Sequence, residues 1–205
     1  AGIYGQIAAE GYVVLAPQYR GSPGSEGTDE IGGNDLNDIF NIMPVADEIP
    51  SADTSTWGIE GWSRGGLMAL LAIIRTDIFK SVVLTGAITS LSPDRFNPGF
   101  LQKLLSDNPS IIPINEKDFI KQRSVLSLAD KIPSTSNLLI IHGTADEQVP
   151  ASHSLDLASN LIKSGKNFRL LLLDKGDHFL KKHRKEVDRE RFAWMKKHLR
   201  IKGSN

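Results

Sequence analysis

Ser63 lies in the run Gly61-Trp62-Ser63-Arg64-Gly65-Gly66, and its glycine spacing is the first feature that suggests chemistry. Glycines on both sides of a serine allow a turn too tight for larger side chains, because no Cβ obstructs the neighbouring backbone. At the tip of such a turn the serine hydroxyl is exposed. The N–H groups that open a following helix, beginning with Arg64, point at any oxyanion formed there. Nucleophilic attack on a carbonyl is the chemistry that suits this arrangement, and it requires a base to take the hydroxyl proton and an acid to orient the base. A glycine-flanked serine can also close a strand-to-helix turn with no chemical role, so the partners must be found elsewhere in the chain.

Two other stretches offer them: Ile141-His142-Gly143-Thr144-Ala145-Asp146-Glu147-Gln148-Val149-Pro150 and Asp174-Lys175-Gly176-Asp177-His178-Phe179. His178 is the preferred base. Of the other histidines, His142 ends a strand and reads as structural, His153 begins a helix, and His183 and His198 belong to a charged C-terminal segment. Asp146 is the preferred acid. Asp177 adjoins the base on a tight loop, where sequence neighbours seldom point the same way, and Asp174 ends a strand. In the roles that follow, His178 takes the proton from Ser63 and returns it to the leaving group, while Asp146 fixes the imidazole tautomer and stabilises the imidazolium.

The elements around these residues must bring them to one place. Trp57, Ile59 and Trp62 form a short strand before the turn, and Leu67 to Ile74 continue as a helix after it. Upstream, residues 1–10 have helical spacing with a stop at Gly11, Tyr12 to Ala16 read as a continuous apolar strand, and a helix is expected from Asn34 to Ala46. Downstream, strands are expected at Ser81–Ala87, Leu138–Ile141 and Phe168–Leu173, with helices at Ser152–Lys163 and Lys185–Leu199. Between Ile88 and Lys131 the rhythm fails at Pro93, Pro98, Pro109 and Pro113, and short amphipathic pieces appear near Phe100–Leu105 and Phe119–Leu128. An irregular insertion of that kind reads as a lid or substrate-facing segment. Strands alternating with helices imply an α/β fold, a parallel sheet with helices on both faces whose ligand chemistry sits at the carboxyl ends of the strands. All three candidates fall on those ends.

Composition narrows the function classes. The 205 residues suit one domain, and 24 Lys+Arg against 24 Asp+Glu leave no overall field to recruit nucleic acid or an anionic membrane. The basic run Lys181-Lys182-His183-Arg184-Lys185 is interleaved with acids further on and reads as a solvated helix face. No apolar run approaches the ~20 residues that span a bilayer. Cysteine is absent, which removes disulfides, thiolate metal sites and a thiol nucleophile, yet leaves cytoplasmic and secreted settings both open. No HExxH or clustered His/Asp pattern suggests a metal, and no cofactor is implied.

Gly61-Trp62-Ser63-Arg64-Gly65-Gly66, His142 to Pro150, Gly176-Asp177-His178-Phe179 and the early Tyr19-Arg20-Gly21-Ser22 together resemble the catalytic domain of the prolyl oligopeptidase family of serine peptidases. The likeness runs from about Gly11 to Leu199. It implies an α/β-hydrolase fold, in whose chain order Ser63, Asp146 and His178 form the triad. It also implies a small peptide as substrate, cleaved beside an apolar or proline-like residue, with Trp62, Val149, Phe96 and Phe100 as candidates to line the pocket. Members of the family usually have further strands before the position of Gly11, ending in a loop that gives a second oxyanion-hole donor, and many carry a β-propeller in front. Neither is present in these residues. The expectation is therefore a catalytic domain incomplete at its N-terminal side. A carboxylesterase acting on small acyl esters shares the same chemistry and is the nearest rival. A non-catalytic hydrolase-like binding module is the other. The two long amphipathic helices read as cover for the sheet, and nothing in the pattern sets an oligomeric state.

Overall fold

Leu138, Leu139, Ile140 and Ile141 are apolar at four successive positions, so a strand made from them is apolar on both faces and needs cover on each. The computed structural model describes residues 2–96, 99–106 and 116–199, and there all four side chains are fully buried. They belong to β3 (Asn137–Gly143), one of four parallel strands with β1 (Trp57–Trp62), β2 (Phe79–Thr85) and β4 (Phe168–Leu173), in spatial order β1-β2-β3-β4. Side chains alternate between two cores. Val82, Leu84, Leu138 and Ile140 face α3 (Arg64–Arg75) and α6 (Ser152–Lys163). Val83, Leu139, Ile141 and Leu173 face Ile7 of α1 (Ile3–Ala9) and Val187 and Met195 of α7 (Arg184–His198).

The helix after the serine explains the thickness of the first core. Every residue from Gly66 to Ile73 in α3 is buried. A helix apolar on all sides needs cover beyond the sheet. That cover comes from Ile31, Leu36 and Ile39 before β1, and from Val125, Ala129 and Ile132 after β2. Among the described residues no helix is long and apolar enough to cross a membrane.

Two expectations are corrected. Tyr12–Ala16 is not a strand: the segment has no ladder partner, because a cavity of about 700 Å³ lies between Tyr12–Pro17 and the edge strand β1. An apolar, β-branched run supplies the propensity for a strand, but only hydrogen bonding to a neighbour makes one. The expected helix from Asn34 to Ala46 is three short pieces: a 3₁₀ turn at Asn34–Leu36, α2 (Asn37–Asn41) and a second 3₁₀ segment at Met43–Glu48. Pro44 accounts for the second break, since it has no N–H to continue an α-helical ladder.

The insertion after β2 contains α4 (Phe100–Ser106), α5 (Glu116–Gln122) and a 3₁₀ segment at Val125–Lys131, while Pro98, Pro109 and Pro113 lie outside the described residues. Its last part is built into the core rather than laid over it. Arg123 is 5% exposed and donates to the carbonyls of Glu30 and Ile31 at 2.8 Å each, while the Val125 N–H donates to Thr89 O at 2.8 Å. Ile31 needs such support: it is fully buried with φ 48, a left-handed conformation costly for a β-branched residue. Replacing Arg123 with Met strands both carbonyls and is expected to lower stability by about 3 kcal/mol. Urea unfolding monitored by fluorescence checks this, and a loss below ~0.5 kcal/mol would show that the insertion's end is not part of the core.

Candidate active site

Ser63 leaves β1 at φ 53, ψ −119 and immediately precedes α3. That conformation is strained for a residue with a Cβ, by about 1–3 kcal/mol, and persists only where the surroundings fix it. Three backbone bonds do so: Ser63 N–H donates to Thr85 O at 2.9 Å, and Ser63 O accepts from Gly66 N–H at 3.0 Å and Ile88 N–H at 3.2 Å. Two flanking glycines are required by space. A Cβ on Gly61 would lie 2.1 Å from Gly65 O, and one on Gly66 would lie 2.4 Å from the Cβ of Ala87. The first turn of α3 therefore sits directly on the strand, and Arg64 and Gly65 follow the serine at the helix start, where N–H groups lack an intrahelical partner.

The Arg64 side chain is held separately from its N–H. Its guanidinium donates to both Asp29 carboxylate oxygens at 2.5 Å and reaches Asp35 Oδ2 at 3.4 Å. Asp35 is fully buried and also accepts from the Gly32 N–H; burial raises its pKa, opposed by that bond and by Arg64. Nearby, burial pushes the Tyr19 hydroxyl up to about 12 against the pull of Arg64, so Tyr19 stays a protonated donor at neutral pH.

Asp146 accepts from four donors. Oδ1 takes the backbone N–H groups of Gln148 and Val149 at 2.9 Å each, while Oδ2 lies 2.7 Å from His178 Nδ1 and 3.3 Å from His142 Nε2. Burial works against ionisation here, but the bonds from His142, His178 and the Val149 N–H outweigh it and hold the carboxyl well below the usual range. The two loops are joined by backbone: Thr144 N–H donates to Leu173 O at 2.9 Å and Ala145 N–H to Gly176 O at 3.0 Å. A Cβ on Gly143 would lie 2.2 Å from Gly176 O. Gly86, at φ +52 directly after Thr85, passes against the pair, since a Cβ there would be 3.4 Å from both Asp146 Oδ2 and the His178 ring.

Trp62 joins the serine's strand to the histidine's loop. Its Nε1–H donates to His178 O at 3.1 Å, and the guanidinium of the exposed Arg184 lies 4.6 Å from its ring centre, so one residue of the basic run covers that ring. Of the other residues proposed for a pocket, Val149 is fully buried and serves the Asp146 loop through its backbone. Phe96 and Phe100 stack at 5.1 Å, with Phe96 4.9 Å from the His153 ring. That histidine accepts from Thr89 N–H and is pushed down to about 4 by burial and by the Arg95 charge. His183 lies 3.0 Å from Asp174 O through Nε2, and Asp177 accepts the Lys181 N–H. The sequence reading passed over Asp29 and Gly86 because neither sits in a motif. From sequence His142 reads as structural, and the structure places that ring against Asp146.

Asp146 links the site to stability. Its folded pKa lies below the unfolded value of ~3.9, so its contribution is present above that pH and is lost as pH falls toward the folded value. Asp146→Asn is expected to cost about 1.5–3 kcal/mol at pH 7. The gap to wild type should narrow below pH ~4, and urea midpoints measured from pH 7 to 3 check it. A gap independent of pH would mean that the carboxylate's charge is not what stabilises the loop.

The chain matches the prolyl oligopeptidase family over residues 5–202. It is 27% identical over 193 residues to an uncharacterized peptidase of Bacillus subtilis (strain 168), YtmA, covering 93% of this chain and 74% of that protein. It is 30% identical over 184 residues to human dipeptidyl peptidase 8, covering 85% of this chain but only 20% of the relative. Among solved structures, an acylaminoacyl peptidase of Pyrococcus horikoshii superposes with a TM-score of 0.71 at 24% identity, over 87% of this chain and 30% of that one. The architecture is that of the α/β-hydrolase fold, and the chain is a member of the prolyl oligopeptidase family.

Proposed function

We propose that the chain carries the catalytic centre of a serine peptidase, with Ser63 as nucleophile, His178 as general base and acid, and Asp146 as the residue that orients His178. The observation that carries this reading is the 2.7 Å bond from His178 Nδ1 to Asp146 Oδ2, on the sheet edge where β1 ends in a serine held at φ 53 on a strand-to-helix turn. With Nδ1 committed to Asp146, Nε2 is the ring nitrogen left for the Ser63 hydroxyl. Attack of Oγ on a peptide carbonyl gives a tetrahedral oxyanion, for which the Arg64 N–H at the start of α3 is the candidate donor. Collapse releases the amine with the proton from His178, and water repeats the sequence on the acyl-enzyme. The names of the relatives, dipeptidyl and acylaminoacyl peptidase, favour peptide bonds and short peptides over acyl esters as the natural substrate.

The cavity beside β1 bears on how complete this centre is. Its lining includes Ile39 and Met43 from one core and Ile7 and Met195 from the other, with β1 and Tyr12–Pro17 on its two sides. A space bounded in that way suits one more strand in the plane of the sheet, whose carboxyl end would emerge near Ser63. This supports the expectation that strands outside these 205 residues complete the domain and bring a second oxyanion donor.

Labelling with a fluorophosphonate, followed by mass spectrometry of the digest, tests the assignment. The adduct is expected on Ser63 and is lost in Ser63→Ala and His178→Ala; an adduct elsewhere, or none on folded full-length protein, removes the triad reading. The 205 residues alone should label about 10²–10³-fold more slowly than the full-length protein, the usual effect of one missing oxyanion donor. Equal rates would mean that the residues in hand already form the whole site. Hydrolysis of short peptide anilides against p-nitrophenyl esters then separates peptidase from esterase.

A further inference from the structure

His142 is fully buried on β3, and both ring nitrogens are engaged although the mechanism above gives it no part. Nε2 lies 2.8 Å from Val149 O and 3.3 Å from Asp146 Oδ2. Both neighbours are acceptors, so Nε2 must carry a hydrogen. Nδ1 lies 2.6 Å from Ser154 Oγ on α6, and a ring protonated at Nε2 accepts the serine hydroxyl there. Ser154 is itself fully buried, so its hydroxyl has little alternative to this bond. The direction of the chain is thereby set: Ser154 donates to His142, and His142 donates to the loop that holds Asp146.

Asp146 therefore has two histidines on one oxygen. Its Oδ1 is pinned by two backbone N–H groups, which leaves rotation of the carboxylate about that anchor as the motion still to be prevented. His178 is a poor restraint, because it must be free to gain and lose a proton during turnover. His142 is anchored by β3 on one side and Ser154 on the other and takes no proton from Ser63 in this mechanism. It braces the same Oδ2 that His178 engages and also fixes the Val149 carbonyl, whose own N–H bonds Oδ1.

We propose that His142, set by Ser154, is a positioning residue that holds the Asp146 carboxylate in register with His178, so that it acts on the chemical step through Asp146 without touching substrate. This rests on the triad reading above. A buried histidine that merely fills space between β3 and α6 would affect folding and leave the catalytic step alone, and the two roles separate in measurement.

The test uses full-length protein: the labelling rate with a fluorophosphonate, and kcat and KM for p-nitrophenyl butyrate, with the thermal midpoint followed alongside. Wild type must label at Ser63; if it does not, the triad reading fails and this inference fails with it for a different, recognisable reason. With wild type active, His142→Leu is expected to lower the labelling rate and kcat about 10–100-fold, the range for outer partners of functional histidines, with KM within about twofold. His142→Gln, whose side-chain amide can donate where Nε2 did, should regain at least part of that loss. Wild-type rates in folded His142→Leu overturn the proposal, as does a His142→Gln variant no better than His142→Leu. Should His142→Leu fail to fold, Ser154→Ala decides: a several-fold slower rate with unchanged KM supports the relay, and an unchanged rate overturns it.

Discussion

Backbone touching backbone at the carboxyl edge of the sheet is the constraint on which the rest of the site depends. At Gly61 against Gly65, and at Gly143 against Gly176, there is no room for a single methyl group. The first contact lets α3 begin directly on β1, which forces Ser63 into its positive φ and turns the helix's opening N–H groups beside it. The second brings the loop after β3 against the loop after β4, which puts Asp146 within 2.7 Å of His178. Side-chain chemistry is thus secondary to the spacing of main chains. A strand-to-helix turn with alanine at Gly61 would still bury its core but could not close the angle, whereas a Cβ on Gly65 would meet open space.

Charge at this edge is organised so that each ionised group is held by more than one partner. Burying a carboxylate in isolation costs several kcal/mol. Asp146 offsets this with four donors, and Asp35 does so with the Gly32 N–H and Arg64. The role of Arg64 is easily misread as substrate recognition because it follows Ser63. Its guanidinium is clasped by Asp29, whose Oδ1 also takes the Ile31 N–H and so supports a strained loop. One residue thereby ties the position of the helix's first N–H to the loop that covers α3, and the two ends of its structure do different work.

The parts of the fold legible in sequence were those with a strong local pattern. The four paired strands and the three long helices α3, α6 and α7 follow from unbroken apolar runs and helical spacing, and the carboxyl-end rule applied to those strands selects Ser63, Asp146 and His178 as the candidate site residues. The failures share a cause, which is that the deciding partner lay outside the segment. Tyr12–Ala16 has every propensity of a strand and no neighbour to pair with. Asn34–Ala46 has helical spacing, but Pro44 interrupts it and the pieces take their direction from the α3 surface they cover. Arg123 reads as one more charge in an irregular insertion, and only the structure brings it to the carbonyls of Glu30 and Ile31. His142 shows the same limit at the site, since a strand-end histidine gives no sign of which carboxylate it will meet.

The insertion illustrates how a segment can be irregular without being loose. Its disorderly sequence follows from the prolines, yet from Arg123 to Ile132 it is fastened at both levels, by backbone bonds to Thr89 and by apolar side chains entering the α3 core. Upstream, Phe96 is fixed through His153, which Thr89 also binds, so a single residue just past β2 anchors both ends of the segment. Thr89 is two positions beyond Ala87, the contact that admits Gly66 and hence the turn at Ser63. The described ends of the insertion therefore share one anchor with the loop that fixes the turn at Ser63.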